Sequence, residues 1–281
     1  MSPLSATAMD TYAVFGHPIA HSKSPYIHAA FARQTGQALL YTAIEAPREG
    51  FRDAVMQFRA QGGKGANVTV PFKEEAFRLA TATSERARLA QAVNTLRFDG
   101  VDIYGDNTDG TGLVQDLAAN LGVQLAGSRI LILGAGGAAR GAIPALLAQN
   151  PVGLTIANRT PPRAEDLARE FAALGQISAS TFDALAPDYD LVINATSASL
   201  AGDLPPLPES VLAAAHFAYD MMYGAAETPF LALARKLGCA RRADGLGMLV
   251  EQAAEAFLLW RGVRPQTQPV LTALRQQLQQ A

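Results

Sequence analysis

The sequence has little cysteine, little histidine and no long apolar run, and each shortage excludes a class of protein. Cys239 is the only cysteine among 281 residues, so neither an intrachain disulfide nor a Cys-x-x-Cys metal or redox motif can form. The four histidines are scattered, and Pro18 interrupts any helix that would bring His17 and His21 together, so we expect no metal site. The sequence also lacks the run of about 18 uncharged apolar residues that a membrane-spanning helix needs.

An excess of charge of one sign is also missing. Lys and Arg number 23 against 25 Asp and Glu, and the basic residues are not clustered as a nucleic-acid surface requires. Apolar residues make up 49% and charged residues 17%, a composition typical of globular α/β proteins and too apolar for disorder. The first ten residues lack the features of a secretory signal. We therefore expect a cytoplasmic protein with a small-molecule substrate and without a nucleic-acid or membrane partner.

Short apolar segments alternate with helix-like segments, which predicts the α/β class with parallel sheets. The length suggests two domains. We predict one α/β block at residues 1–109, completed by C-terminal helices within 244–281, and a second, doubly wound block at 110–243. The strands predicted for the first block are 12–15, 40–43, 65–70 and 94–98, and those for the second are 129–133, 154–157, 191–194 and 217–220.

A glycine-rich turn follows the predicted strand 129–133. Gly134, Gly136 and Gly137 would turn this strand into a helix whose free N–H groups meet a pyrophosphate, as in a Rossmann-like domain. Ala139 stands at the third glycine position of that motif and is small enough for close helix–strand packing. Similar turns occur in many α/β proteins, so a purely structural turn is the alternative interpretation.

The end of the next strand indicates which dinucleotide would bind. An NAD site would place Asp or Glu there for the ribose 2′-hydroxyl, but strand 154–157 continues into Asn158, Arg159 and Thr160, with Arg163 nearby. Arg159 can clamp a phosphate through two parallel hydrogen bonds, which favours the 2′-phosphate of NADP. The alternative is an arginine exposed to solvent after a strand.

Two polar segments, 67–73 and 105–110, supply a lysine and an aspartate suited to ketone reduction. Hydride transfer leaves negative charge on the carbonyl oxygen, so the site needs a group that stabilises this oxygen and gives it a proton. Lys73 lies just past the carboxyl end of a predicted strand, where open α/β sheets bind ligands, and Asp109 could hold its ammonium group. A surface lysine and a helix-capping aspartate are the alternative. We predict a dehydrogenase with Lys73 and Asp109 as its catalytic pair.

These segments belong to a longer series of motifs, which lie at 15–19, 21–25, 67–73, 92–95, 105–110, 134–140, 158–160, 194–197, 219–221 and 244–248. In this series the chain resembles the shikimate dehydrogenase family, from about residue 11 to near its C-terminus. The resemblance implies a substrate-binding first domain and an NADP-binding second domain. It also implies reversible NADP-dependent reduction of 3-dehydroshikimate to shikimate, a step of chorismate and aromatic amino-acid biosynthesis, by a monomer or homodimer.

The resemblance further implies which residues bind the two ligands. Ser22 and Ser24 would bind the ring carboxylate with Tyr223 near it, and the hydroxyls, ketone or carboxylate would meet Asn67, Thr69, Asn94, Asp109 and Gln252. The cofactor would be held by Gly134, Gly136, Gly137, Ala138, Asn158, Arg159, Thr160 and Arg163, with Thr196, Met221, Gly245 and Met248 beside the nicotinamide. Such a polar site suits a polyhydroxylated ring, because a poorer ligand leaves buried polar groups unpaired.

Two departures from the family pattern and two alternative functions stay open. Residues 1–8 precede the usual start of the family, and residues 197–200 lack the glycine expected beside the nicotinamide. A quinate/shikimate dehydrogenase of broader specificity using NAD is one alternative, which a carboxylate in place of Asn158 would have favoured. A non-catalytic NADP-binding regulator of the same fold is the other, and loss of Lys73 or Asp109 would have indicated it.

Arg159→Ala should weaken NADPH far more than NADH, because only NADPH carries the 2′-phosphate that the guanidinium group is expected to clamp. Steady-state KM values for the two cofactors measure this difference. Equal losses for both would contradict the role assigned to Arg159.

Overall fold

The computed structural model describes residues 9–196 and 204–280, and the chain divides into two compact units. The first unit contains the described residues up to Thr108 together with Ala253–Val270. The second contains Asp109–Gln252 and the chain from Leu271 onward. The boundaries predicted from the sequence lie at 109/110 and 243/244, whereas the compact units change at 108/109, 252/253 and 270/271. No helix in the described part of the chain combines the length and apolar character needed to cross a membrane.

The first unit is built on a six-stranded sheet, and its α/β class is as predicted. The strands are β1 (Asp10–Gly16), β2 (Leu39–Glu45), β3 (Gly63–Val68), β4 (Ala82–Thr83), β5 (Thr95–Asp99) and β6 (Asp102–Asp106). The helices between them are α1 (Ser24–Thr35), α2 (Phe51–Ala60), α3 (Lys73–Leu79) and α4 (Glu85–Ala90). The strand order is β2-β1-β3-β5-β6-β4.

This first sheet is mixed, which corrects the prediction of parallel strands. β1 pairs in parallel with β2 and β3, but β5 runs antiparallel to both β3 and β6. Only Gly100 and Val101 connect β5 to β6, and so short a connection can join antiparallel strands alone. Gly100 has φ +57°, which glycine adopts without strain. The predicted strands omit β6, because two aspartates and a glycine among its five residues give it little strand propensity.

The second unit is a doubly wound parallel sheet, as predicted, with strand order β12-β11-β10-β7-β8-β9. Its strands are β7 (Arg129–Leu133), β8 (Gly153–Ala157), β9 (Ile177–Ser180), β10 (Leu191–Asn194), β11 (Phe217–Asp220) and β12 (Arg241–Asp244). The helices that follow Thr108 are α5 (Asp109–Gln115), α6 (Gly137–Leu147), α7 (Pro161–Phe171), α8 (Glu209–Ala214), α9 (Pro229–Lys236), α10 (Leu246–Arg261) and α11 (Gln268–Gln280). A π-helical turn, Asp116–Asn120, continues α5. The residues of α10 and α11 are shared between the two units.

The predicted strands omit β9 and β12, which form the two edges of the second sheet. Both are four residues long, and β12 contains two arginines and an aspartate, a composition typical of edge strands rather than of the apolar interior. Asp244 therefore ends a strand, and the first of the C-terminal helices predicted within 244–281 starts at Leu246. The Leu246 N–H donates to the Asp244 carboxylate at 3.2 Å, the arrangement of a residue that caps a helix.

Each unit has its own apolar core. In the second unit Ile130, Leu131, Ile132 and Leu133 of β7 are fully buried, because helices cover both faces of a parallel sheet. In the first unit the Phe15 ring meets other buried phenylalanine rings edge-on, Phe58 among them at a centroid distance of 5.7 Å. The apolar segments from which the sequence predicted β1 and β7 therefore contribute to the cores of the two units.

His28 lies in an aromatic cluster inside the first unit. Its ring stacks on Tyr41 with 4.2 Å between centroids and 7° between planes, and Phe257 and Trp260 lie against it. Neither ring nitrogen has a hydrogen-bond partner of normal geometry among the described residues. Burial lowers the pKa of His28 to about 3, and nearby Asn67 offsets only part of this effect. The ring is therefore neutral in the folded protein at physiological pH.

Because His28 is neutral when folded, the first unit should lose stability as the pH falls. Above pH 6.5 the ring is neutral in both states, whereas between pH 6.5 and about 3 only the unfolded chain binds the proton. From pH 7 to pH 5, wild type should lose about 2 kcal/mol more unfolding free energy than His28→Phe. Urea unfolding followed by the fluorescence of Trp260, the single tryptophan, measures this loss. Equal losses in the two proteins would contradict the prediction.

Candidate active site

Lys73 is the first residue of α3, and hydrogen bonds hold the loop before it against the first sheet. β3 ends two residues before Val70, which the sequence placed in the strand and which is 67% exposed. The Thr69 N–H donates to the Phe15 carbonyl oxygen at 2.9 Å, and the Val93 N–H donates to the Lys73 carbonyl oxygen at 2.9 Å. The backbone of Lys73 is thereby fixed at the carboxyl end of β3, where the sequence predicted it.

Asn67 and Asn94, two of the predicted substrate residues, form a buried hydrogen-bond network. The Tyr41 hydroxyl donates to Oδ1 of Asn67 at 2.7 Å, and Nδ2 of Asn67 donates to the Asn94 carbonyl oxygen and to Oγ1 of Thr95. Oδ1 of Asn94 accepts from the Thr108 N–H at 2.9 Å, and Nδ2 of Asn94 donates to Oγ1 of Thr108 at 3.0 Å. The network fixes the orientation of both amides.

A partly buried ion pair between Arg86 and Asp106 holds the segment that leads to Asp109. The Asp106 carboxylate accepts from Nε of Arg86 at 2.7 Å, from Oγ of Ser84 at 2.5 Å and from the Asn107 N–H at 2.8 Å. Burial by itself raises the pKa of Asp106, but Arg86, Ser84 and Asn107 together bring it below its usual value. The chain is therefore held firmly up to the residue before Asp109, which opens α5.

The two predicted carboxylate-binding serines lie at the start of α1. Ser24 is the first helical residue, and its N–H donates to Oγ of Ser22 at 3.3 Å. Ser24 is only 7% exposed, and its side chain is hydrogen-bonded to Tyr41. Burial raises the pKa of the Tyr41 phenol well above its usual value, and the bond with Ser24 opposes this rise only in part. Ser24 and Asn67, far apart in the sequence, are thus joined through one phenol.

In the second unit, the glycine-rich turn leaves open space above the start of α6. Gly134 has φ +107°, and its N–H donates to the Ala157 carbonyl oxygen at 2.7 Å. A Cβ atom added to Gly136 or Gly137 would meet nothing within 4 Å, and Gly136, Gly137 and Ala138 are exposed. The backbone N–H groups of a first helical turn have no partners within the helix, so this open end fits a pyrophosphate.

The residues after β8 present positive charge at the same edge of the sheet. Arg159 and Arg163 are both exposed, and α7 begins between them. Nδ2 of Asn158 donates to the Thr160 carbonyl oxygen at 2.9 Å, and the Arg163 N–H donates to the same oxygen at 3.1 Å. The turn is therefore shaped by its own residues, with its guanidinium groups open to solvent. This donor set fits a phosphate on the ribose.

The strand order of the second sheet reverses between β7 and β10, and open α/β sheets bind ligands at such a reversal. Gly134 follows β7 and Thr196 follows β10. A Cβ atom added to Gly134 would lie 3.1 Å from Cγ2 of Thr196, so the glycine lets the two loops approach closely. Two of the predicted cofactor segments are therefore adjacent.

Asn194 and Asp220 are buried polar residues that anchor the loops after β10 and β11, and the predicted site does not include them. They are fully buried partners at the ends of β10 and β11, where Nδ2 of Asn194 donates to Oδ1 of Asp220 at 3.1 Å. Asn194 also accepts from the N–H and hydroxyl of Thr196, and Asp220 accepts from the Met222 N–H and the Thr228 hydroxyl. The sequence does contain a signal for them, because each is the polar last residue of an otherwise apolar strand.

The start of α10 packs against the second unit through glycines. A Cβ atom added to Gly245 would lie 2.2 Å from the Met221 carbonyl oxygen. The Met248 N–H is hydrogen-bonded to the Tyr219 hydroxyl, which itself donates to Asp116 at 2.7 Å. Burial raises the pKa of Tyr219 well above its usual value, and the Asp116 charge adds to the rise. Of the residues predicted to line the nicotinamide, Gly245 thus packs closely on Met221, and the backbone of Met248 is held by the buried Tyr219.

Three further predicted residues, Asp109, Tyr223 and Gln252, lie in the second unit. Tyr223 is half-buried, and burial, with a contribution from the Asp244 charge, raises its pKa. Gln252 packs against α5, since a Cβ atom added to Gly112 would lie 2.7 Å from the Gln252 nitrogen. Asp109 belongs to this unit as well, whereas Ser22, Ser24, Asn67, Thr69, Lys73 and Asn94 belong to the first. The pairing of Lys73 with Asp109 stays a prediction.

Two of the sequence expectations concern residues that are not described. Residues 1–8 and residues 197–200, which depart from the family pattern, lie outside the described residues. Within the described ranges, 9–196 and 204–280, no group of three or more His, Cys, Asp or Glu side chains has an arrangement that could hold a metal ion.

Family models match three stretches of the chain. They are the shikimate dehydrogenase substrate binding domain at residues 14–96, shikimate / quinate 5-dehydrogenase at residues 116–201, and the shikimate 5'-dehydrogenase C-terminal domain at residues 245–275. The first match covers the described serines, Asn67 and Lys73, and the second covers the glycine-rich turn and Arg159. Together the matches span more than half of the chain.

Individual relatives agree with these matches. The shikimate dehydrogenase (NADP(+)) of Nitrosospira multiformis is 60% identical over 96% of this chain and 98% of its own length. Among solved structures, an Ael1 enzyme from Pseudomonas putida has a TM-score of 0.91 at 52% identity, covering 94% of this chain and 98% of that one. Shikimate 5-dehydrogenase from Thermus thermophilus, in complex with NADP(H) and shikimate, has a TM-score of 0.85 at 35% identity, covering 95% and 99%.

Gly247→Ala should destabilise the second unit by about 1–3 kcal/mol. The added Cβ would lie 1.9 Å from Oδ1 of Asp116, a buried carboxylate that Tyr219 and Asn120 hold in place. Gly153→Ala is the matched control, because a Cβ there meets nothing within 4 Å. Thermal unfolding of both variants checks the prediction, and a midpoint for Gly247→Ala equal to that of the control would contradict it.

Proposed function

Because the chain belongs to the shikimate dehydrogenase family, we propose that it catalyses the reversible reduction of 3-dehydroshikimate to shikimate with NADPH. The reaction is a step of chorismate and aromatic amino-acid biosynthesis. The first domain, residues 1–109 completed by the C-terminal helices, binds the substrate, and residues 110–243 bind NADP. The protein acts in the cytoplasm as a monomer or homodimer.

One observation carries the assignment of the catalytic pair. Val93 and Asn94 are adjacent residues, and the Val93 N–H binds the carbonyl oxygen of Lys73 while the Asn94 side chain binds both polar groups of Thr108. Asp109 is the next residue in the chain. The segments that carry the ammonium group and the carboxylate are therefore attached to the same two residues, which supports their action on one substrate oxygen.

The chain's residues perform the proton transfer, and NADPH, when bound, supplies the hydride. Lys73 gives a proton to the carbonyl oxygen while a C–H bond forms at the carbonyl carbon and the C=O π bond is lost. The charge of Lys73 stabilises the oxygen as negative charge develops on it. Asp109 holds the ammonium group and accepts a hydrogen bond from the new hydroxyl. In the reverse direction Lys73 takes the hydroxyl proton.

The polar residues around Lys73 explain the choice of a polyhydroxylated ring. Ser22 and Ser24, with Tyr223, bind the carboxylate, and Asn67, Thr69, Asn94 and Gln252 bind the remaining oxygens. The buried hydrogen-bond network holds the amides of Asn67 and Asn94 in fixed orientations, so a ring whose hydroxyls match them binds without reorganising the network. This match favours shikimate over less hydroxylated rings.

NADP suits the second unit better than NAD. Gly134, Gly136, Gly137 and Ala138 leave the start of α6 open for the pyrophosphate, as the empty space around the two later glycines indicates. Arg159 and Arg163, with Asn158 and Thr160, hold the 2′-phosphate. Thr196, Met221, Gly245 and Met248 lie beside the nicotinamide. Asn194 binds the N–H groups of Thr196 and Met221, and the Tyr219 hydroxyl binds that of Met248.

A quinate/shikimate dehydrogenase of broader specificity is the second candidate, because the matched family description covers both substrates. The two rings share the carboxylate and ring hydroxyls that the described serines and amides would bind. Nicotinamide absorbance with shikimate or quinate, each with NADP or NAD, distinguishes the candidates. Turnover of shikimate with NADP alone supports the first, comparable turnover of quinate supports the second, and no turnover of either contradicts both.

Lys73→Ala should lower kcat by about 10²–10⁴-fold, because it removes the general acid and its charge. Lys64→Ala is the matched control, since Lys64 is an exposed lysine near the opposite end of β3. Steady-state kinetics with shikimate and NADP measure both variants, and circular dichroism checks that the fold is kept. A kcat for Lys73→Ala close to that of Lys64→Ala would refute the assignment.

A further inference from the structure

We propose that Tyr41 is a positioning residue for the substrate, which orients Asn67 and Ser24 so that they bind the ring. The proposal rests on the proposed function, and it adds a residue outside the predicted site. Tyr41 lies on β2 and is 7% exposed. Its hydroxyl group is hydrogen-bonded to the side chains of both Asn67 and Ser24.

The hydrogen bonds of Asn67 determine which group it can offer to a ligand. Both N–H groups of its amide are already used, one by the Asn94 carbonyl oxygen at 3.2 Å and one by Oγ1 of Thr95 at 3.1 Å. Oδ1 has two lone pairs, and Tyr41 occupies one of them. Any hydrogen bond between Asn67 and the substrate therefore uses Oδ1 as an acceptor, which favours a ring hydroxyl over a ketone or carboxylate oxygen.

The Tyr41 hydroxyl maintains this selection. An amide whose oxygen and nitrogen exchange places would put its own oxygen against the Asn94 carbonyl oxygen and leave the Tyr41 hydroxyl hydrogen without its acceptor. With Tyr41 present, the unflipped amide satisfies all three partners, so this orientation is strongly preferred. Without the hydroxyl, the preference rests on two hydrogen bonds, and Ser24 loses its buried partner as well.

Tyr41 is itself held rigidly and kept protonated. Its ring stacks on the neutral His28 ring at 4.2 Å, and Trp260 lies 6.3 Å from it, centroid to centroid. The His28 ring is fully buried and stacks on the rings of Tyr41 and Phe257. A packed aromatic ring has little rotamer freedom to lose, so the hydroxyl direction is set before the ligand arrives.

Tyr41→Phe tests the proposal because it removes the hydroxyl and keeps the stacked ring. The KM for shikimate should rise about two- to tenfold, the effect of one net hydrogen bond, with the KM for NADP unchanged and kcat altered less. Tyr12→Phe is the matched control. Tyr12 is a buried tyrosine of the neighbouring strand that also packs on Trp260, but its hydroxyl is bonded to Arg261 instead of to a substrate residue.

A double-mutant cycle tests whether Tyr41 acts through Asn67. In an Asn67→Ala background, Tyr41→Phe should raise the KM for shikimate by a smaller factor than in wild type, because part of its effect is already lost. Isothermal titration calorimetry with shikimate and no cofactor gives the same comparison as a binding measurement without turnover. An equal factor in both backgrounds would overturn action through Asn67.

The outcomes separate this proposal from the proposed function. If wild type turns over shikimate and Tyr41→Phe has an unchanged KM for it, the role of Tyr41 is overturned and the function stands. If the variant raises the KM values of shikimate and NADP together, Tyr41 has only a structural role and the proposal also fails. If wild type does not turn over shikimate, both are overturned.

Discussion

The hydrogen bonds between the Asn94 side chain and Thr108 are the constraint on which the proposed chemistry depends. A single amide satisfies both the N–H and the hydroxyl of Thr108 and so fixes the residue that precedes Asp109. The same residue accepts a hydrogen bond from Asn67 through its carbonyl oxygen, and its neighbour Val93 binds the backbone of Lys73. Because these groups are buried, breaking one bond would leave several polar atoms unpaired.

In the second unit, buried polar side chains at the ends of strands also form hydrogen bonds that hold the following loops. Asn194 and Asp220 are completely buried, yet each makes hydrogen bonds to its partner and to the loop that follows. Asp116 performs a similar task under α10, where Gly247 leaves room for the carboxylate. Polar networks of this kind are strong when every member is satisfied, because the low dielectric of the interior strengthens each bond. These hydrogen bonds hold the loops after β10 and β11 in place from inside the protein.

The sequence was sufficient where the physical rule was local. The glycine turn after β7 needs a residue that tolerates φ +107°, and the arginine after Asn158 is a cation whatever its surroundings. The turn follows β7 as predicted, and the cofactor roles of both segments stay predictions. The antiparallel pairing of β5 and the edge strands β9 and β12 were wrong or missing, because short polar strands gain their stability from neighbours. Tyr41, Asn194 and Asp220 were absent from the predicted site for a related reason. Each makes hydrogen bonds to residues that are distant in the sequence, and no local sequence motif indicates such contacts.

By itself, the sequence determined the α/β class, the doubly wound second unit and the residue types available for proton transfer and phosphate binding. These follow from apolar periodicity and from the chemistry of single side chains, which act over a few neighbouring positions. Only the tertiary structure decided that Tyr41 joins Ser24 to Asn67 and that Asn94 holds Thr108. Hydrogen bonds between buried groups far apart in the chain depend on distances and directions that exist only after the sheets have formed.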